Sequence, residues 1–284
     1  MTMEAVDSQK PGRRRRKRRR GRRGGRGDSA ASFGAMLPHL LTTGNLAAGF
    51  YAIIKASTGD PIFASYLIFV AGIFDTLDGR VARMSNSTSR FGAEYDSISD
   101  TVSFGVAPAM LAFSAGNLAE LGRPGWVMTF LFTACAALRL ARFNVTKGRY
   151  KGRFEGLASP AAAGIVASTQ WFVSFLRESG SAFSVSEVAV AGGVSLLGLL
   201  MVSAIPYRSF KEVDVRHPFG TLVLAVLAIT LVVIEPSVTL FALGIVYAFS
   251  GPVEWVWRRA THNPLEQLAE PAAPEPEPTQ GTTS

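Results

Sequence analysis

From Leu37 onward the chain presents, again and again, windows of about 17 to 25 mostly apolar residues, the length of α-helix that crosses the hydrocarbon core of a bilayer. No other feature restricts the fold as much, because in hydrocarbon every backbone N–H and C=O must find its partner inside the segment. The windows are Leu37 to Ala56, Pro61 to Leu77, Ile98 to Ser114, Trp126 to Phe143, Ala161 to Leu176, Val188 to Ile205, Phe219 to Ile234 and Val238 to Trp257. The expectation is an all-α integral membrane protein of about eight transmembrane helices, which excludes a soluble globular enzyme and a wholly disordered chain. Only Glu235, Pro236 and Ser237 separate the last two windows, as in a tight hairpin.

Charge divides the chain differently. The formal net charge is +8, but residues 1 to 28 carry +9 and the rest of the chain −1. Residues 1–32, dominated by Arg13 to Arg20, repel themselves and cannot build a core, so they read as a disordered basic tail. The following apolar window carries polar residues and continues into a multi-span body, so a cleaved signal peptide is not expected. Residues 36–257 form the membrane domain, and residues 258–284, rich in Pro and Glu, read as a second disordered tail. The single cysteine, Cys135, excludes a disulfide framework and a Cys-rich metal site.

Loop charges set the orientation. With the Arg tail inside, the inner connections hold Arg80, Arg83 and Arg90, then Lys147, Arg149, Lys151 and Arg153, then Arg208, Lys211 and Arg216, and finally Arg258 and Arg259. The outer face keeps only Lys55, Arg123 and Arg177. An even number of spans with both termini cytoplasmic accounts for this asymmetry.

Four acids stand out against the apolar background, where an ionisable residue costs about 2.5 to 3.5 kcal/mol at a helix centre on insertion scales. Asp75 and Asp78 are spaced i, i+3 where the second span meets the cytoplasm; Asp96 and Asp100 are spaced i, i+4 where the third begins. Each spacing puts a pair on one helical face, and a loop from Gly79 to Tyr95 returns the helices antiparallel so that the four carboxylates converge. Such a cluster needs cations, and hard oxygen ligands without His or Cys point to Mg²⁺ or Mn²⁺. Two such ions form the usual clamp for phosphoryl transfer. Gly79 lets backbone approach a ligand, and Arg83 is placed to neutralise phosphate.

The run Asp75-Thr-Leu-Asp78-Gly79-Arg-Val-Ala82-Arg83, eight residues, then Gly92-Ala-Glu-Tyr-Asp96-Ser-Ile-Ser-Asp100 fits D-x2-D-G-x2-A-R-x8-G-x3-D-x3-D at all eight fixed positions. The chain thereby resembles the CDP-alcohol phosphotransferases. The resemblance implies that an alcohol hydroxyl attacks the β-phosphorus of a CDP-linked substrate and CMP leaves. It further implies that Asp75, Asp78, Asp96 and Asp100 bind two divalent cations, Mg²⁺ or Mn²⁺, with Asp100 also the general base. Gly79, Arg83 and Ser89 resemble the positions that contact the cytidine diphosphate.

Further segments are similar to one branch of that family, the membrane-embedded phosphatidylserine synthases. They are Leu37-Pro-His39-Leu-Leu-Thr42-Thr-Gly-Asn45, which adds Thr42 and Asn45 to the CDP-lipid contacts and has His39 where Asn is usual, Phe104-Gly-Val-Ala-Pro108, Leu138-Arg139-Leu-Ala-Arg142-Phe-Asn144, Gly156-Leu-Ala-Ser159-Pro160 and Tyr207-Arg208-Ser-Phe-Lys211. The implied substrates are CDP-diacylglycerol and L-serine, with a site open to the cytoplasm, and a homodimer is implied by the likeness alone. An amino-acid acceptor brings a carboxylate, for which Arg139, Arg142, Arg208 and Lys211 are the candidate cations; each also reads as a positive-inside anchor. Glycerol 3-phosphate or an inositol phosphate as acceptor, and a cation transporter built on the same acids, are the competing readings.

The remaining signals are read blandly. The Arg tail adheres to anionic membrane lipid and fixes topology; nucleic acid is not expected, since no aromatic residue interleaves the arginines to stack a base. His39, His217 and His262 are too scattered to form a ligand set, and Trp126, Trp171, Trp255 and Trp257 suit an interfacial belt.

Overall fold

The structure is a computed structural model and describes residues 27–85, 89–145, 153–180, 185–208 and 218–261. Helix covers each of the eight apolar windows. Helix α1 (Gly27–Ser57) and α2 (Pro61–Met84) form an antiparallel hairpin whose turn uses Gly59 at φ +85°, a left-handed conformation open to glycine. Asp60 caps α2, its Oδ1 accepting the Phe63 N–H at 3.2 Å, and Pro61 supplies the preset φ of a first helical position. Helix α3 (Arg90–Asp100) runs through a π-helical turn (Thr101–Val106) into α4 (Ala107–Ala115). A 3₁₀ turn (Leu118–Leu121) leads to α5 (Arg123–Val145), followed by α6 (Ser159–Glu178), α7 (Glu187–Val202), α8 (Pro218–Ile234) and α9 (Pro236–Ala260).

Four of the described helical stretches are long and apolar enough to cross a membrane: Pro61–Met84, Arg90–Ala115, Arg123–Val145 and Pro236–Ala260. Large apolar side chains point outward as well as inward. Phe50, Ile73, Phe130, Leu138, Val246 and Val253 are all exposed, an arrangement that suits hydrocarbon and not water. The core is built largely of small residues. Ala48, Ala52 and Ala56 recur every four residues on α1 and are buried with Ala64 and Ala71 of α2, which lets the two backbones approach closely.

Two differences from the sequence expectation bear on the site. The connection expected from Gly79 to Tyr95 is mostly helical: α2 continues to Met84 and α3 already begins at Arg90. A hydropathy window ends where polar residues begin, but Arg and Ala are good helix formers and carry the helix on. All four aspartates therefore stand inside helices. Helix α1 likewise starts at Gly27, within the stretch that charge alone assigns to the N-terminal tail.

On the side where the arginines cluster, a two-stranded antiparallel sheet joins β1 (Arg153–Glu155) to β2 (Pro206–Arg208), pairing Phe154 with Tyr207. The fully buried Tyr207 donates its hydroxyl to the Ala248 carbonyl at 2.8 Å. Arg153 makes a two-pronged ion pair with Glu254 at 3.0 and 2.8 Å, which Arg258 joins at 2.8 Å. The sheet is thus tied to the end of α9.

Helix α1 also meets the π turn at a point that admits only glycine. A Cβ on Gly49 would collide with Ser103, including its backbone Cα at 2.7 Å. Gly49→Ala should therefore force α1 from the helix that carries Asp100, at about 1 to 3 kcal/mol for an overpacked core. The expected result is a thermal midpoint in detergent several degrees below wild type; an unchanged midpoint would show that the contact is not tight.

Candidate active site

Two features of α1 support the acids. Thr42 is buried and donates to Asp78 Oδ2 at 2.9 Å, while its hydroxyl oxygen also lies 3.0 Å from the Pro38 carbonyl. Asn45, one turn further and fully buried, donates from Nδ2 to Asp100 Oδ1 at 2.9 Å. Ser103 in the π turn donates to the Asn45 carbonyl at 3.0 Å, so the segment after Asp100 is pinned to the helix that holds Asp100's partner. π-helical turns are uncommon and gather at functional sites; this one follows Asp100 directly.

Asp75, Asp78 and Asp96 each offer a carboxylate oxygen within 4.8 Å of the others. Asp75 lies within hydrogen-bonding reach of Asp100. Asp78 and Asp100 are 4% and 8% exposed, so water does little to screen their charges from one another. Asp96 Oδ1 is buried with no hydrogen-bond partner among the described residues, and so is Asn45 Oδ1. A native site seldom leaves a buried carboxylate oxygen without a partner. Convergent hard oxygens with an orphaned acceptor suit a divalent cation of the Mg²⁺ or Mn²⁺ type.

Beside the acids is a cavity of about 180 Å³, lined by His39, Thr42, Asp78, Gly79, Arg83 and Ser89 among others. Five of these are residues that the sequence marks as site positions. Gly79 has open space where a side chain would stand, leaving backbone accessible to a ligand. Ser89 has a local task as well: it caps α3, its Oγ accepting the Gly92 N–H at 3.0 Å. His39 forms part of the wall, with its ring edge-on to Phe91 at 5.8 Å and its Cε1 3.0 Å from where a Gly92 Cβ would lie. Glycine at 92 therefore makes room for the histidine. Ser103 was not marked in the sequence; its signal would have been a small hydroxyl one helical turn past the last aspartate.

The four candidate acceptor cations separate. Arg139 is 9% exposed and donates to Ser159 Oγ at 3.2 Å, while its Nε has no partner among the described residues. It is close enough to Asp100 and Tyr247 to interact with both electrostatically. Arg142 instead donates to three carbonyls, Val202 at 2.9 Å, Glu155 at 3.2 Å and Ser203 at 3.3 Å, which ties α5 to the end of α7 and to β1. Arg208 lies in β2 opposite Arg153, and Lys211 lies outside the described residues.

Residues 35–251 match the family model for CDP-alcohol phosphatidyltransferase. The chain belongs to the CDP-alcohol phosphatidyltransferase family. The matched span contains every helix of the site, from α1 to the greater part of α9. Among curated relatives, the CDP-diacylglycerol–serine O-phosphatidyltransferase of Helicobacter pylori is 34% identical over 228 residues, covering 78% of this chain and 92% of that protein. The protein of that name from Mycobacterium tuberculosis is 35% identical over 219 residues, 75% of each chain. The one from Methanocaldococcus jannaschii is 36% identical over 219 residues, 76% of this chain and 92% of the relative.

Proposed function

We propose that this CDP-alcohol phosphatidyltransferase moves the phosphatidyl group of CDP-diacylglycerol to L-serine, giving phosphatidylserine and CMP in phospholipid biosynthesis. The observation that carries the reading is the convergence of Asp75, Asp78 and Asp96 beside the cavity of Arg83 and Ser89, with Asp100 held by Asn45 one turn beyond. The relatives that cover most of the chain carry serine in their names.

In this reading Asp75, Asp78, Asp96 and Asp100 hold two divalent cations, Mg²⁺ or Mn²⁺. When bound, the cations supply charge to stabilise the attacking and leaving oxygens. The chain's own groups do the rest. Thr42 steadies Asp78, and Arg83 with the open backbone at Gly79 receives the cytidine diphosphate. Asn45 occupies one oxygen of Asp100, leaving the other to take the proton of the serine hydroxyl. A bond forms from serine oxygen to the β-phosphorus, the bond from that phosphorus to the CMP oxygen breaks, and CMP departs.

The eight helices all span the bilayer, with both termini and the acids at the cytoplasmic side, where loop arginines gather by the positive-inside rule. The lipid tails then stay in hydrocarbon while the metals and serine meet at its edge. The protein works as a homodimer, a proposal resting on family likeness. The domain division keeps a basic tail at the N-terminus and a Pro/Glu tail at the C-terminus, both mostly outside the described residues.

Of the basic candidates, Arg139 is the anchor for the serine carboxylate, because it keeps a donor without a partner near Asp100. Arg139→Met should raise the serine KM by about 10- to 100-fold, the scale of a lost charge-assisted hydrogen bond, with a smaller change in kcat. Arg142→Ala should lower the thermal midpoint and leave the serine KM near wild type. The reverse pattern would exchange the two roles.

An acceptor screen tests the function. With CDP-diacylglycerol and a divalent cation in detergent, CMP release should depend on serine; dependence on glycerol 3-phosphate or an inositol phosphate in its place would overturn the assignment.

A further inference from the structure

A second cavity, of about 360 Å³, lies on the other side of α2 from the polar pocket and is apolar. Phe69, Gly72 and Leu77 of α2, Phe104 of the π turn, and Pro160 and Gly164 of α6 form its wall. Its cytoplasmic end is at Thr76 and Leu77, the two residues between Asp75 and Asp78, so groove and acidic cluster share one turn of α2. From Leu77 the groove follows α2 back to Ile68, about 13 Å of helix at 1.5 Å per residue. That length is close to the roughly 15 Å of one leaflet's hydrocarbon. Phe69, stacked on the buried Trp171 at 4.8 Å, stands at the deep end.

Two glycines set the width. A Cβ on Gly164 would meet only Phe69 Cε1 at 3.7 Å, and one on Gly72 only Phe104 Cε1 at 3.9 Å. Both are ordinary contacts, so neither glycine is demanded by tight packing. The missing side chains are what keep the groove open between α2 and α6.

Resting on the proposed reading that the substrate is a CDP-linked lipid, we propose that this groove seats one acyl chain of that lipid and that Gly164 and Gly72 set the chain length it accepts. The phosphorus under attack must sit at the aspartates, and the glycerol joined to it must place its chains in hydrocarbon within a few ångströms. The groove begins at that point and runs toward the bilayer centre, dry along its length. A lipid with no seat would take its place by the headgroup alone and would be indifferent to groove width.

The test compares CMP release from dioleoyl and dioctanoyl CDP-diacylglycerol, with serine and a divalent cation, for wild type and Gly164→Leu. A leucine at 164 fills the groove about one helical turn below Pro160 and should lower the dioleoyl-to-dioctanoyl turnover ratio by about tenfold, the scale of steric discrimination in an apolar pocket. Gly72→Ala adds one methyl, should move the ratio the same way by less, and provides the measurement if the leucine variant fails to fold. A ratio unchanged from wild type, whether turnover falls equally for both lipids or for neither, overturns the groove while leaving the phosphatidyl transfer standing. Wild type that releases CMP from neither lipid overturns both.

Discussion

Asp100→Asn is expected to lower turnover by about 10²- to 10⁴-fold, the contribution of a general base, while CDP-lipid binding persists. The substitution is nearly isosteric, and the amide keeps an oxygen to accept the 2.9 Å hydrogen bond from Asn45 Nδ2. The buried helix around it, pinned by Ser103 to the Asn45 carbonyl, has no reason to move. What is lost is the capacity to take a proton from an alcohol, a poor nucleophile at neutral pH. Single-turnover CMP release and equilibrium binding of a CDP-lipid, measured on the same preparation, separate the two effects. Turnover within a few-fold of wild type would remove Asp100 from the base role.

The second large effect is expected at Asp78. Asp78→Asn removes one of three carboxylates whose oxygens converge within 4.8 Å, and it does so at a buried position where solvent cannot compensate. The divalent cation concentration that gives half-maximal activity should rise by at least about tenfold, since even changes behind a metal's direct ligands cost 10- to 100-fold in affinity. Thr42, whose hydroxyl meets Asp78 Oδ2, can turn to the Pro38 carbonyl and remain satisfied, so the loss should appear in metal dependence more than in stability. An unchanged metal titration would contradict a role for Asp78 as ligand.

Much of this site could be read from residues alone, for definite reasons. The acids were legible because charge in an apolar background is costly and because i, i+3 and i, i+4 spacing survives any uncertainty about helix ends. Thr42 and Asn45 were legible only through resemblance; nothing in their local pattern says that they face Asp78 and Asp100. The reach of α2 through Gly79 to Met84 was hidden, since hydropathy registers polarity and helix propensity does not enter it. Arg139 and Arg142 stand three residues apart on one helix and look alike as sequence. Only the carbonyls of Val202, Glu155 and Ser203, brought from other elements, show that Arg142 is engaged in holding the fold. The apolar groove was hidden for the same reason: its wall is assembled from α2, the π turn and α6, and its width depends on glycines that no periodicity marks.

The central claim is that one phosphatidyl group passes to one serine as one CMP is released. Purified chain, CDP-diacylglycerol, a divalent cation and isotopically labelled L-serine should yield labelled phosphatidylserine and CMP in equal amounts, with neither formed when serine is omitted. CMP released without label entering the lipid, or ion flux through liposomes with no CMP at all, would contradict it.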